Sequence, residues 1–336
     1  MARTGTRDET AGAGPRRRRP FAPLAALVLA LVLGASPALA QEAASWLARA
    51  ADAARTLNYV GTIVYEHGGR KEKSRLVHRN EGGAESEKLV NLDGPAREVI
   101  RSHTEVFCYY PDNKLLRVEP RTFRNAFPAL TAQQQKALAE HYTVRRADNE
   151  RVAGLDAQAW VLEPKDRYRY RQTFWTDVTT GLLLKVRIEN DRHEAVEQFE
   201  FTDLVIGQGI EREMVRPTWT GTPRGWQRQE LTPGTIENKD TGWEVARLPP
   251  GFAKTGEGMR LLHGKSEPVA HLVYSDGLVT VSVFVEHASS APRAFGRAQI
   301  GGVNIFVRQV DDNVITVLGE APGATVRQIA NTVVRR

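Results

Sequence analysis

The sequence predicts an α+β protein of mostly antiparallel β structure, divided into a larger and a smaller part. Three observations carry that prediction. Segments with apolar residues at every second position recur between Tyr59 and Leu204 and again beyond His271, the period of half-buried strands. Gly, Pro, Asn and Asp cluster between these segments and mark turns. A stretch rich in Gly, Pro and Thr, residues 217–241, separates the two runs.

In chain order, AASWLARAADAARTL (43–57) reads as an opening helix, with Trp46, Leu47, Ala50, Ala54 and Leu57 near helical spacing. From Tyr59 the period changes to two: Tyr59, Ile63 and Tyr65 share one face of YVGTIVYE, and Gly68-Gly69 ends it. AREVIRSH, EVFCYY and NKLLRVE follow as short strands. Thr131-Ala-Gln-Gln134 has the form of a capping box and predicts a helix to about His141. DAQAWVLEP, RYRQTFWTD, GLLLKVRIEN and EAVEQFEFTDL are longer strands; Leu182, Leu184, Val186 and Ile188 give the third one buried face. The sum is a long antiparallel meander with two helices, a strongly curved sheet or half-open barrel.

Residues 217–241 read as a linker anchored by Trp219 and Trp226. Beyond it, Ser275-Asp-Gly277 predicts a hairpin turn, because Asp-Gly supplies positive φ readily. Val279, Val281, Val283 and Val285 make the buried face of the strand that follows. VNIFVRQV and NVITVLG are joined by Asp311-Asp-Asn313, and a closing helix carries Val326, Ile329, Ala330 and Val333 on one side. The expected division is therefore 1–40 leader, 41–216 larger domain, 217–241 linker and 242–336 smaller domain.

The leader rests on four arginines (Arg16 to Arg19), a ten-residue apolar run from Leu24 and the small-x-small pattern Ala38-Leu39-Ala40. Ten residues are too few for a hydrocarbon core of about 30 Å. Arg18-Arg-Pro-Phe21 is similar to a twin-arginine signal, but a basic leader accounts for it equally well. Residues 1–40 carry six arginines and two acids, so their removal takes the formal charge from +6 to +2. The basic balance that would have suggested nucleic acid belongs in large part to that segment.

The sequence offers no enzyme, metal or cofactor site. The eight histidines lack ligand spacing, and the single cysteine, Cys108, sits among aromatic residues with no adjacent base. No Gly-x-Ser-x-Gly elbow or phosphate loop occurs. The sharpest signal is KDRYRYRQTFW (165–175), where cations and rings interleave. Strand alternation would put Tyr168, Tyr170 and Phe174 on one side and Arg167, Arg169 and Arg171 on the other. Nucleic-acid platforms present rings and cations to the same groove, so no nucleic-acid partner is expected. Two readings stay open: inward rings with solvated arginines, or an aromatic cavity with a basic rim for an anionic amphiphile.

These residues resemble the RseB/MucB family of envelope-stress sigma-factor regulators. The resemblance lies in ERVAGLDAQAWVLEPKDRYRYRQTFWTDVTTGLLLKV, EQFEFTDLVIG, Trp243 to Phe252, HLVYSDGLVTVSVFVE and GGVNIFVRQVDDNVITVLGEAP, in that order. It implies a periplasmic protein whose larger domain is similar to the lipoprotein carriers, an unclosed β-barrel against helices. It further implies binding to the periplasmic segment of a transmembrane anti-sigma factor, shielding of that segment from the site-one protease, and release by lipopolysaccharide or mislocalised lipid. It leaves self-association open. On this reading Tyr59, Ile63, Tyr65, Phe107, Tyr109, Trp160, Tyr168, Tyr170, Phe174, Phe199 and Phe201 line a lipid cavity. Arg167, Arg169 and Arg171 meet the head group. An edge strand of the smaller domain could receive an extended peptide. A periplasmic lipid or lipoprotein carrier is the competing reading.

Overall fold

The computed structural model describes residues 36–102, 104–120, 140–230, 240–262, 265, 267–289 and 294–336. Residues 1–35 of the expected leader lie outside them. So does the helix expected from Thr131, except for Glu140 and His141, which are helical.

Helix α1 (Ser36–Thr56) leads into a sheet of thirteen described strands. β1 (Tyr59–His67), β2 (Arg70–Glu81), β3 (Ala84–Asn91), β4 (Glu98–Arg101), β5 (Glu105–Tyr110) and β6 (Leu115–Pro120) form one antiparallel meander. A second comprises β7 (Tyr142–Arg146), β8 (Glu150–Val152), β9 (Leu155–Pro164), β10 (Arg171–Asp177), β11 (Leu183–Glu189) and β12 (Ala195–Ile206). β12 pairs with β1 and fuses the two, while β13 (Gln227–Glu230) adds parallel to β6. The strand order runs from β13 to β7 without the ends meeting, so the sheet is unclosed. Gly61 permits the fusion at the β1/β12 bulge: a Cβ there would lie 2.4 Å from the Asp203 carbonyl and 2.7 Å from the Phe201 ring.

Within this sheet β7, β8 and β13 have no counterpart in the sequence reading, and neither do β2 and β3. RKEKSRLVHRNE and AESEKLVN carry charge at both parities, which hides the alternation. Their one sequence signal is the spacing of Gly68-Gly69 and Gly82-Gly83, which close the turns on either side of β2 with positive φ.

The smaller lobe comprises β14 (Trp243–Val245), β15 (Ala253–Arg260), β16 (Val269–Ser275), β17 (Thr280–His287), β18 (Gly296–Ile300), β19 (Val303–Val310), β20 (Asn313–Gly319), α2 (Gly323–Asn331) and β21 (Val333–Arg335). Six of these strands form a sheet in the order β15-β16-β17-β20-β19-β18, and β14 pairs with β21. Val326, Ile329 and Ala330 of α2 pack on Val281, Val283, Ile315 and Val317. Val333, expected on the closing helix, is buried there too but belongs to β21, because the helix ends at Asn331. The protein is thus α+β and mostly antiparallel, with an unclosed large sheet and a separate small sheet capped by the C-terminal helix, as the alternation predicts.

Residues 217–230, the first part of the expected linker, lie on the large sheet. Buried Glu98 of β4 accepts hydrogen bonds from Thr218 N (2.7 Å) and Oγ1 (2.5 Å) and pairs with Lys88 at 3.1 Å. Trp219 and Trp226 close over Tyr109, with ring centroids 5.5 and 6.4 Å away. Residues 231–239 are outside the described ones.

Candidate functional site: the ring-bearing face and the lobe junction

Side chains paired directly across adjacent strands point to the same face, so register sorts the eleven expected cavity residues. Trp160, Phe174, Val186, Phe199 and Tyr65 make one row through β9, β10, β11, β12 and β1. Phe201 and Ile63 pair beside it, and Tyr59 shares their side of β1. α1 packs on this face. Trp46 stacks on Trp160 at 5.1 Å, meets Phe174 edge-on at 5.5 Å and donates from Nε1 to Thr176 Oγ1 at 3.1 Å. Ala53 covers Tyr59, Leu182 and Phe201.

The face therefore changes character along the sheet. Trp160, Phe174, Tyr59 and Phe201 are buried, whereas Ile63, Tyr65 and Phe199 are half-buried. Tyr65 donates to Glu197 Oε1 at 2.7 Å. Burial, then that bond, raises the Tyr65 phenol far above its ordinary value; burial also raises the Glu197 carboxyl.

Phe107 and Tyr109 are on the opposite face. Val60, Val77, Lys88, Ile100, Phe107 and Val118 form a continuous row there. Tyr109 is buried under Trp219 and Trp226. Parity within EVFCYY gives which residues share a face; the register across four further strands decides which face that is.

Tyr168 and Tyr170 are off the sheet. Residues 165–170 form a turn rather than a strand, because Asp166 Oδ1 accepts from Tyr168 N at 2.8 Å and folds the backbone over. The expected alternation of rings and arginines therefore does not extend through this segment. It docks on the smaller lobe instead. Thr325 Oγ1 donates to the Tyr168 carbonyl at 2.6 Å, and Asn304 Nδ2 donates to the Tyr170 hydroxyl at 2.8 Å.

Arg169 sits between them, its side chain without solvent contact. Its Nε donates to Asp276 Oδ2 at 2.9 Å, its Nη1 to Asp166 Oδ2 at 2.6 Å and its Nη2 to the Pro250 carbonyl. The rings of Phe252 and Tyr142 flank it at 5.4 and 6.0 Å. Gly251 leaves the space: with φ +77°, it sits where a Cβ would come within 2.7 Å of Arg169 Nη2. Burial, then the Arg169 charge, lowers the nearby His141. Asp276 is held in turn, its Oδ1 accepting from Leu278 N and Val279 N at 3.0 and 2.9 Å.

Of the three arginines expected at a head group, only Arg167 is exposed; it lies over the Tyr168 ring at 5.4 Å. Arg171 is paired with Glu163 at 2.9 Å and with Glu189. A cavity of about 430 Å³ opens elsewhere, beside α1, where Trp46, Arg49, Arg146, Gln158, Trp160 and Val178 line it. Arg146 lies over the Trp160 ring at 5.5 Å. An indole floor with guanidinium walls suits an anionic group carrying an apolar body. Among the described residues no group of three or more His, Cys, Asp or Glu side chains could hold a metal, and no helix is long and apolar enough to cross a membrane. The sequence reading missed Asp276, Asn304 and Thr325 as partners of the KDRYRY turn. The Ser-Asp-Gly hairpin, a buried-strand turn with a lone carboxylate, was their only signal.

Comparison with known proteins matches residues 42–219 to the MucB/RseB N-terminal domain and 237–334 to the MucB/RseB C-terminal domain. The sigma factor AlgU regulatory protein MucB of Pseudomonas aeruginosa is 31% identical over 90% of this chain and 94% of its own length. The sigma-E factor regulatory protein RseB of Escherichia coli K12 is 25% identical over 84% and 87%. Among solved structures, MucB in complex with MucA(peri) superposes with a TM-score of 0.69 at 30% identity, covering 88% of this chain and 99% of that one. MucB alone covers the same 88% with a TM-score of 0.59 at 28% identity.

Proposed function

The chain belongs to the MucB/RseB family, and from that premise we propose that it is a periplasmic negative regulator of an envelope-stress sigma factor. It binds the periplasmic segment of a membrane-spanning anti-sigma factor, shields that segment from the site-one protease, and lets go when lipopolysaccharide or mislocalised lipid binds. Residues 41–216 supply the lipid-responsive lobe and 242–336 the lobe that contributes to partner binding. Regulation is by binding, without catalysis or a cofactor.

The observation that carries this reading is the likeness to MucB in its complex with MucA(peri), which runs through both lobes. The half-buried Ile63, Tyr65 and Phe199 support the lipid arm: each methylene of an acyl chain buried against them contributes roughly 0.8 kcal/mol. A ligand expels a partner only by binding the two states differently.

The test is capture of this chain on the immobilised periplasmic segment of the cell's own anti-sigma factor, with and without lipopolysaccharide. Capture that lipid reverses supports the whole reading. Capture that lipid leaves unchanged removes the release arm, and no capture removes the function. The same half-buried rings favour a second reading, a lipid or lipoprotein carrier. A carrier would take up acyl chains yet fail to be captured.

A further inference from the structure

Two sequence motifs meet at the lobe junction: the KDRYRY turn, which the structure takes away from the expected lipid cavity, and the Ser-Asp-Gly hairpin. We propose that Arg169 is a positioning residue that fixes the two lobes in the arrangement the protein partner binds; the inference rests on the function proposed above.

Each lobe has its own hydrophobic core, with Leu272, Val283, Ile315 and Ile329 in one and Trp46, Trp160 and Phe174 in the other. Besides Leu278, an apolar side chain of the hairpin that packs against both cores, what crosses between them here is polar and directional. Tyr168, Arg169 and Tyr170, three consecutive residues of one turn, each bond a different element of the small lobe: α2, the β16–β17 hairpin together with the Pro250 loop, and β19. Only the Arg169 contact is a buried ion pair. Such a pair adds little net stability, because desolvation offsets the attraction, but it strongly penalises every arrangement that leaves one charge unpaired. That is the property of a registration device. A planar guanidinium with three separate acceptors fixes direction as well as distance.

A second crossing lies at the far end of β1. Gly68 and Gly301 approach so closely that a Cβ on Gly68 would lie 2.9 Å from the Gly301 Cα, and a Cβ on Gly302 would lie 3.9 Å from that of Glu197. Two separated contacts define a relative orientation; one alone leaves a pivot. The arrangement of this chain also superposes better on MucB with MucA(peri) than on MucB alone, a difference between those structures.

The test uses the full chain with dyes on the two lobes, and the periplasmic segment of the cell's own anti-sigma factor as probe. Arg169→Met should broaden the inter-lobe distance distribution while each lobe keeps its unfolding transition. If the competent arrangement then has a population of roughly one in ten, affinity for the segment falls about tenfold. The separation of 3.9 Å falls in the range for a disulfide. Adding Glu197→Cys with Gly302→Cys and oxidising the pair should therefore restore affinity to within about threefold, and reduction should abolish the rescue. Asp276→Asn is the second variant: it keeps the oxygen that caps the hairpin, removes the charge facing Arg169, and should behave as Arg169→Met does.

An unchanged distance distribution in both variants overturns the inference. So does a broadened distribution with affinity within twofold of the original, since the partner would then read one lobe alone. If the unmodified chain does not bind the segment, the function proposed above fails first and this inference falls with it; if it binds and the variants bind equally, only this inference fails.

Discussion

The two lobes cover their sheets in opposite ways. In the smaller lobe α2 closes one face, and a single continuous core runs from Trp243 through Leu272, Val283 and Val317 to Ile329. In the larger lobe the buried apolar residues break into separate clusters, some beneath α1 and others beneath residues 210–226 on the opposite face. Dimensions explain the difference. A helix of 21 residues spans about 31 Å, whereas the strand order from β13 to β7 spans roughly 50 Å at about 4.8 Å per strand. Among the described residues α1 is the helix on this face and does not span it: Trp160 is buried while Phe199 and Tyr65, two and three strands beyond Phe174 in the same row, are half-buried. The apolar interior therefore stops partway along the larger sheet, whereas the smaller sheet is covered by α2.

Trp46→Ala should destabilise the larger lobe most. Removing a buried indole stacked on Trp160 costs about 3–5 kcal/mol. Denaturant unfolding should show the loss in the larger lobe's transition, with the smaller lobe's midpoint unchanged. A single shifted transition would mean that the lobes unfold as one unit.

The sealed lobe carries a pH dependence of its own. His271 is buried against the Phe284 ring at 4.3 Å, and burial, with Arg260, lowers its pKa to about 4. The unfolded chain takes up this proton near its ordinary value of about 6.5, whereas the folded lobe resists until about 4. Stability is therefore present above about pH 6.5 and falls as pH drops through that window, by about 3 kcal/mol in all. Thermal melts of the smaller lobe between pH 7 and pH 4, with and without His271→Phe, check this: the variant should flatten the pH profile.

Glu98→Gln probes the outer face of the open lobe. It keeps an acceptor for Thr218 but removes the charge facing Lys88, at a cost of about 2 kcal/mol. Limited proteolysis should cut sooner between residues 216 and 226, while the Trp46 cluster keeps its fluorescence. Unchanged proteolysis would mean that Trp219 and Trp226 alone hold the segment.

How much of this was legible follows the same division. Alternation located β9 to β12 and β16, β17, β19 and β20, and the Asp-Gly turn was read with its partner strands, because apolar residues recur in those segments; β18, GRAQI, is exposed along its length and gave no such signal. β2 and β3 were invisible because charge lies on both of their sides. Phe107 and Tyr109 were assigned to the wrong side of the sheet for a subtler reason: parity is local, whereas face is set by register accumulated through β2, β3 and β4. KDRYRY was read as strand because its residue types fit one. A single bond from Tyr168 N to Asp166 overrode that propensity and turned Arg169 from an expected rim cation into a buried interlobe one.

At Phe199 stability and ligand access should come apart. Phe199 shares its row with Phe174 and Trp160 but is half-buried, with the Phe201 ring edge-on at 5.4 Å. Phe199→Ala should therefore cost only about 1 kcal/mol in the larger lobe's unfolding transition, against about 3–5 for Trp46→Ala. It should nonetheless weaken uptake of a fluorescent acyl chain, because the ring contributes to a surface a guest can reach. Unfolding and acyl-chain titration on the same variant separate the two quantities. Equal costs at Phe199 and Trp46 would mean that the α1 face is a filled interior from end to end; the larger lobe would then be sealed like the smaller one, with no apolar surface left to receive a lipid.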